Sequence, residues 1–397
     1  MFFTGLFLAA GATALIVNTI LFFLTGRVSR EGSVEVSGGA VQLQEVPSSF
    51  RIVYRVEEFA GGDRQISTEE SRVKRPFDGK TEKRRGAPPG KKLFTSQTST
   101  FGKVTFPASG DNPIILVTGP AISVGDLRPD AVLEEAVAAG IIQRREVRRI
   151  AGRRCQVFRA GGPISAGQLL NVKDAKDEVT DFCVDESGLL LEELWLGTQR
   201  SLGVLKRPRA IRRKVAVTVE EEPSLSDELF KVGEQTIPFE TAGGRLRPLK
   251  PDSSSPGKFW VLDAGKLAGF DHFGKYLVVP PSMDVSGMQG LEGSQGNRIV
   301  SVSDVYLKGD RDLVVLDQGT TEQGRSPFGP PLEKGGVGLG DELGRGRVIR
   351  DMRMNEVRVS LEGGTFVRIY GTFPTDVLIE LLKSAKPIEG SDLQFAD

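Results

Sequence analysis

Few side chains in this sequence have the type and spacing that catalysis requires. The only histidine is His272, in the segment FDHFGKY. A general-base histidine needs a partner that orients it and a nucleophile within reach. The sequence has no G-x-S-x-G, H-E-x-x-H or G-x-x-x-x-G-K-S/T motif that would supply such groups. We therefore expect His272 to be a surface or core residue, and we predict no catalytic residues and no enzymatic activity.

The two cysteines offer a different kind of chemistry. Cys155 and Cys183 lie in RRCQVFR and DFCVDESG, both of which have the pattern of β-strands. If the two strands are neighbours in one sheet, the cysteines can form a disulfide, which persists only outside the cytoplasm. Two buried free thiols are the alternative. Two cysteines and one distant histidine cannot complete a tetrahedral zinc shell. We predict the Cys155–Cys183 disulfide, with no metal and no cofactor.

An apolar run opens the sequence. Residues 2–24, FFTGLFLAAGATALIVNTILFFL, carry no charged side chain. A helix of about 23 residues rises about 34 Å, enough to cross a hydrocarbon core of about 30 Å. A cleaved signal peptide is the alternative, but the run lacks a basic n-region and a clear small-residue cleavage site. We predict one transmembrane helix over residues 1–25 that contacts membrane lipid through residues 2–24.

The orientation of the anchor rests on two conflicting signals. Arg27 and Arg30 follow the apolar run directly, and the positive-inside rule then places the body in the cytoplasm. The cysteine pair favours the opposite side, because a disulfide needs an oxidising compartment. We expect a single-pass protein of the cell membrane with its body on the extracytoplasmic face.

Charge is unevenly distributed along a chain whose formal net charge is zero. Residues 45–214 contain 30 Lys and Arg against 22 Asp and Glu, and the excess is concentrated in basic runs at 83–92, 144–154 and 206–214. Nucleic-acid binding usually also needs stacking aromatic residues among the basic ones. These runs lack them, so we predict no nucleic-acid partner and expect solvated strand faces, lipid-headgroup contacts or protein contacts.

The pattern of apolar residues indicates two β-rich domains after the anchor. FRIVYRVEEF alternates apolar and polar positions, and NEVRVSLEGGTFVRIYGTF predicts a hairpin that turns at Gly363-Gly364. A Gly-rich stretch at 318–345 predicts a long loop between strands of the second domain. We predict a linker over 26–48, a first domain over 49–235, a second linker over 236–258 and a C-terminal domain over 259–397.

Helices are predicted at three places. Asp130 is a candidate N-cap for PDAVLEEAVAAG, which ends at Gly140. The segment 223–234 predicts a short helix that closes the first domain. The last helix begins near Thr375 or Asp376. Its predicted apolar face consists of Val377, Leu378, Leu381 and Leu382.

The order of these segments resembles a known family. FRIVYRVEEF, STEESRVKRPFDGKTE, VRRIAGRRCQVFRA and CVDESGLLLEELWLG follow one another and end in PSLSDELF. This order is similar to the lipoprotein-carrier superfamily represented by LolA and RseB, over about residues 45–235. Residues 255–386 more weakly resemble the small second domain of RseB-like proteins. The membrane anchor and the Gly-rich stretch 318–345 depart from the family pattern.

The resemblance implies a fold and a site. The fold is α+β and mostly β: a curved, antiparallel half-barrel sheet plugged by helices, followed by a smaller α+β domain. It also implies an apolar cavity for acyl chains or a hydrophobic peptide. Candidate lining residues on the strand are Ile52, Tyr54 and Val56, and the candidate helical lid comprises Val132, Leu133, Ala136 and Val137; ordinary core packing is the alternative for all seven.

Three functions remain open. The first is a membrane-tethered, non-catalytic protein that holds a lipid, a lipoprotein or a hydrophobic peptide. The second is an RseB-like regulatory sensor that binds a membrane anti-sigma factor, and the third is a structural subunit of a membrane or cell-surface complex. The sequence motifs give no means of choosing among them, since burying an acyl chain needs only apolar surface, at about 0.8 kcal/mol per methylene.

Overall fold

The computed structural model consists of large antiparallel β-sheets and two α-helices in the part of the chain that it describes. This confirms the prediction of a mostly β fold. The described residues are 34–35, 47–60, 63–75, 78–85, 93–100, 103–106, 114–117, 130–162, 171–173, 178–198, 208–230, 245–250, 258–279, 299–309, 312–321, 324–351 and 354–389.

The first sheet contains twelve of the described strands, in the order β1-β8-β9-β10-β11-β12-β2-β3-β4-β5-β6-β7. Its neighbouring strands all pair antiparallel. The strands are β1 Val34–Glu35, β2 Ser49–Ala60, β3 Asp63–Lys74, β4 Asp78–Arg85, β5 Leu93–Thr100, β6 Lys103–Phe106, β7 Ile114–Val117, β8 Gln143–Ile150, β9 Arg153–Gly161, β10 Glu178–Asp185, β11 Leu190–Thr198 and β12 Pro208–Glu221.

This sheet is strongly curved between β8 and β12. The two strands are four positions apart in the sheet, which is about 19 Å in a flat sheet, yet some of their Cα atoms approach within 8 Å. A buried ion cluster joins them: Glu192 of β11 lies 2.8 Å from Arg148 of β8 and 2.9 Å from Arg213 of β12. Because a buried carboxylate is costly without partners, the two arginines fix how these strands meet.

The second sheet contains eight described strands, in the order β13-β15-β16-β17-β21-β20-β19-β18, and a separate two-stranded sheet pairs β14 with β22. Strand β13 lies inside the 236–258 segment that the sequence assigns to a linker. The strands are β13 Arg245–Leu249, β14 Lys258–Val261, β15 Asp271–Val279, β16 Ile299–Lys308, β17 Asp312–Thr321, β18 Val337–Gly338, β19 Arg345–Arg350, β20 Asn355–Ser360, β21 Thr365–Gly371 and β22 Lys386–Glu389.

The two α-helices are α1, Asp130–Ala138, and α2, Thr375–Lys383. Helix α2 packs on the second sheet through its buried Leu378, Leu381 and Leu382, as predicted. Val377 instead stays 38% exposed, because it points away from that sheet. Of the predicted helix at 223–234, the described residues form only a 3-10 turn, Asp227–Leu229, which Ser226 caps.

The two large sheets share one apolar core. On the first sheet, alternate residues of β2 are fully buried, and they belong to the same cluster as apolar residues of β16, β17 and β21. The cluster therefore holds the second domain against the first. From the first sheet it includes Phe50, Ile52, Tyr54 and Val56, and from the second Val305, Leu307, Leu313, Val315 and Tyr370.

The predicted disulfide is confirmed. Cys155 of β9 and Cys183 of β10 are bonded, with their Cα atoms 5.5 Å apart. The register pairs Cys155 with Asp185 and Cys183 with Val157, so the cysteines are diagonal neighbours on one face of the sheet. Both are buried in the shared core.

The predicted transmembrane segment, residues 2–24, lies outside the described residues, as does most of the 26–48 linker. Among the helices that the structure does describe, none has the length and apolar character needed to cross a bilayer. The anchor stays a prediction from the sequence.

Replacing both Cys155 and Cys183 by alanine should lower the free energy of unfolding by about 3–4 kcal/mol, because the disulfide closes a loop of 28 residues in the unfolded chain. Urea unfolding of the full-length protein in detergent measures this. Reductant should destabilise the wild-type protein and leave the double variant unchanged. Equal stability of the two proteins without reductant would contradict the assignment.

Candidate functional site at the junction of the two domains

Helix α1 lies on the first sheet through an apolar face. Its Leu133 and Ala136 are fully buried in a cluster with Phe158 of β9, Phe182 of β10 and Leu190 of β11. The rings of Phe158 and Phe182 stack with their centroids 5.5 Å apart. The helix thus covers a patch of aromatic and aliphatic side chains that would otherwise face water.

The opposite side of α1 meets the second domain through Glu135. One carboxylate oxygen accepts hydrogen bonds from the backbone N–H of Thr375, at 2.7 Å, and from Asn355 Nδ2, at 2.9 Å. The other accepts from Arg350 Nε, at 3.0 Å, and from the Thr375 hydroxyl. Four donors from three segments of the second domain therefore converge on one side chain of the first.

This carboxylate caps helix α2 from outside that helix. Helix α2 begins after Pro374, whose side chain offers no hydrogen-bond acceptor. The first N–H groups of a helix need acceptors, and a negative charge there is favourable. Glu135 supplies both at Thr375. The position of α1 and the N-terminus of α2 are therefore set by the same contact.

The predicted strand residues lie in a second cluster. Ile52, Tyr54 and Val56 are fully buried in the shared core described above. Of the predicted helical residues, Leu133 and Ala136 are in the α1 cluster, Val137 packs against it, and Val132 is buried. Because Phe182 and Cys183, which are consecutive in β10, belong to different clusters, the two predicted sets lie on opposite faces of the first sheet and not around one described cavity.

Tyr54 connects these two clusters. Its hydroxyl donates a hydrogen bond to the backbone carbonyl of Leu190, at 2.7 Å, and the side chain of Leu190 packs under α1. The Nζ atom of Lys214 lies 4.0 Å from the centre of the Tyr54 ring and 2.7 Å from Glu69. A buried lysine is stable here because a carboxylate and an aromatic face both contact it.

The only histidine does not form part of this junction. His272 Nε2 lies 3.3 Å from Asp304, and Lys275 Nζ lies 3.7 Å from the same carboxylate oxygen. The ring of Tyr306 is 5.2 Å from that of His272, and burial raises the pKa of Tyr306 well above its ordinary range, with Asp304 adding to the shift. These contacts describe a polar cluster that stabilises the second sheet.

Sequence reasoning missed Glu135 as a site residue. The helical pattern assigns it to the polar face of α1, which is usually solvated. Its partners are 215 to 240 residues away in the chain, and nothing in the local sequence points to them. The one local hint is that Pro374 precedes α2 without a side chain that can cap it.

Comparisons with known proteins reveal distant structural similarity only. No family model matches the chain, and no curated protein does. MucB in complex with MucA(peri) is 13% identical, with a TM-score of 0.29, over 85% of this chain and 93% of the other. The MucA/MucB complex of Pseudomonas aeruginosa gives the same values.

A LolA superfamily protein from Nitrosomonas europaea is 10% identical, with a TM-score of 0.23. The match covers 48% of this chain and 92% of that one.

Replacing Glu135 by alanine should lower the free energy of unfolding by about 1–3 kcal/mol, because it leaves the donors of Arg350, Asn355 and Thr375 without their acceptor. Glu134→Ala is the matched control. In the part of the chain that the structure describes, its exposed carboxylate pairs with Arg144 alone, on the surface of the first domain, so the change should be within about 0.5 kcal/mol. Denaturant titration of both variants measures the difference, and equal effects would argue against the junction.

Proposed function

We propose that this chain is a membrane-tethered, extracytoplasmic binding protein without catalytic activity. It holds an apolar ligand, which is a lipid, a lipoprotein or a hydrophobic peptide, between helix α1 and the first sheet. In the structure described here α1 occupies that position itself. The ligand therefore enters when α1 moves away from the sheet.

One observation carries this proposal. Helix α1 combines an apolar face on Phe158, Phe182 and Leu190 with a polar attachment to the second domain, which among the described residues is made by Glu135. A displaced helix would expose an apolar patch that fits an acyl chain. Of the seven lining residues predicted from the sequence, Val132, Leu133, Ala136 and Val137 belong to this helix, and their role in binding is part of the proposal. Ile52, Tyr54 and Val56 are buried in the shared core on the other face of the first sheet.

The energies of opening and binding are comparable. Four hydrogen bonds at a net 0.5–1.5 kcal/mol each amount to about 2–6 kcal/mol. Burying about ten methylene groups gains about 8 kcal/mol. A ligand of ordinary acyl length can therefore offset the loss of the Glu135 contacts, while the ligand itself replaces the apolar contacts of α1.

Two further features support the location. The Cys155–Cys183 disulfide is stable only in an oxidising compartment, which favours the extracytoplasmic face. The apolar run 2–24 is long enough to hold the body beside the membrane. A tethered binding protein meets its apolar ligand at that membrane and needs no aqueous transit.

A regulatory sensor that binds a membrane protein is the second candidate. The contact that favours it is again Glu135, since a ligand that displaces α1 also removes the cap from α2. The second domain would then respond when a ligand is bound between α1 and the first sheet. The third reading, a structural subunit, needs no ligand and no movement of α1.

Native mass spectrometry of the full-length protein, extracted in a mild detergent, tests the proposal. We expect a fraction of the wild-type protein to carry a bound lipid mass. Glu135→Ala should raise the ratio of lipid-bound to lipid-free protein by about fivefold or more, because the closed state loses about 1–3 kcal/mol. Glu134→Ala should match the wild type.

Absence of any lipid adduct from both the wild type and Glu135→Ala would rule the proposal out and favour the structural subunit. A tightly bound protein instead of a lipid, released by Glu135→Ala, would favour the sensor.

A further inference from the structure

The Gly-rich stretch is a packed part of the second domain. Within the described residues 324–345, the ring of Phe328 meets that of Phe366 edge to face, with centroids 5.2 Å apart. The hydroxyls of Ser326 and Ser360 are 2.8 Å apart. At Gly364, where φ is +79°, a Cβ atom would lie 2.3 Å from the carbonyl carbon of Gly324. The loop is thus seated on the β20–β21 hairpin.

Three arginines form a row beside this loop. The register pairs Arg347 of β19 directly with Arg358 of β20, and Arg358 directly with Arg368 of β21. Directly opposed side chains lie on one face of a sheet, about 5 Å apart at Cβ, and like charges in these positions repel. An anion beside the row offsets this repulsion.

The protein supplies anions for two of the three arginines. Arg368 Nε donates to Asp317 at 2.8 Å. Desolvation lowers the pKa of Arg368, but Asp317 and the other acidic groups nearby together raise it by more, so the net shift is upward. Arg358 donates two hydrogen bonds of 2.7 Å to Glu356. Arg347 has no hydrogen-bond or ion-pair partner among the residues that the structure describes, so its charge is not compensated there.

A small recess lies where Arg347 reaches the loop. Arg345, Arg347, Arg358 and Ser360 form its polar side. Phe328, Pro330 and Leu332 of the loop form the other side. Arg345 donates to the carbonyls of Gly335 and Gly336, which fixes its guanidinium without neutralising it. Arg358 lies over the Phe328 ring, 4.9 Å from its centre.

We propose that this recess binds a phosphate group, either free or carried by a lipid headgroup. Guanidinium groups donate paired hydrogen bonds that match phosphate oxygens. The guanidinium groups at the recess are those of Arg345, Arg347 and Arg358, and they come from two neighbouring strands. Donors from two directions suit a tetrahedral anion better than a planar carboxylate. The bound phosphate compensates Arg347 and Arg345, and the apolar wall of the loop excludes water on one side.

This site is separate from helix α1 and does not depend on the function proposed above. It also gives the Gly-rich stretch a role: the loop forms the apolar wall of an anion site. The residues that carry it all belong to the second sheet and its loop.

Calorimetric titration of the full-length protein in detergent with inorganic phosphate tests the assignment. Arg347→Ala should weaken phosphate binding about tenfold, the loss of one charge-assisted contact, and Arg347→Lys should weaken it less. The matched control is Arg145→Ala, since Arg145 is an exposed arginine of the first sheet. The melting temperatures of these three variants should equal that of the wild type, because Arg347 and Arg145 are both exposed.

A second titration with dihexanoyl phosphatidylglycerol identifies the source of the phosphate. Tighter binding of this lipid than of inorganic phosphate, lost in Arg347→Ala, indicates a headgroup; similar affinities indicate free phosphate. No saturable binding of either probe, or an equal loss in Arg145→Ala and Arg347→Ala, would overturn the proposal.

Discussion

The carboxylate of Glu135 determines how the two domains are joined around helix α1. It accepts hydrogen bonds from Arg350, Asn355 and Thr375 while the rest of its helix packs on the first sheet. A glutamine in its place would keep the shape but lose the charge that compensates Arg350 and the α2 N-terminus. The apolar side of α1 and the start of α2 therefore cannot be altered independently.

The shared core and the ion pairs complete this arrangement. Apolar residues of β2 pack with those of β16 and β17, while residues of the basic runs pair with carboxylates on other strands of the first sheet. Arg148 and Arg213 both bind Glu192, and Lys214 binds Glu69. These pairs explain why two of the basic runs, 144–154 and 206–214, place side chains inside the protein and not only on a basic outer surface.

Much of the fold follows from local pattern. The alternation in β2, the turn after Asp185 and the strand contexts of Cys155 and Cys183 are short-range signals, and the strands and the disulfide were predictable from them. In the turn, Asp185 accepts from the N–H groups of Ser187 and Leu189, and Gly188 adopts a φ of +75°. The same locality made the hairpin at Gly363-Gly364 recognisable.

The candidate site was harder to predict, because its contacts join distant parts of the chain. The sequence pattern predicts correctly that Ile52, Tyr54 and Val56 form one apolar face. Nothing nearby in the sequence indicates that Val305 and Val315 cover this face. The sequence pattern places Glu135 on the solvated face of an amphipathic helix, and only the position of α2 in the folded protein shows that this side chain has partners. Likewise, Arg347, Arg358 and Arg368 are separated in sequence, and only the register of β19, β20 and β21 aligns them.

In the proposed function, α1 moves away from the first sheet when an apolar ligand binds, and Glu135 separates from its partners in the second domain. Ala138, at the end of α1, and Val377, on α2, are both exposed, and the described cysteines are in a disulfide. Spin labels introduced through Ala138→Cys and Val377→Cys therefore report the distance between the two helices by pulsed electron paramagnetic resonance. We predict one narrow distance in delipidated protein and a longer, broader one after addition of lipid. An unchanged distance in protein that demonstrably carries lipid would contradict the account.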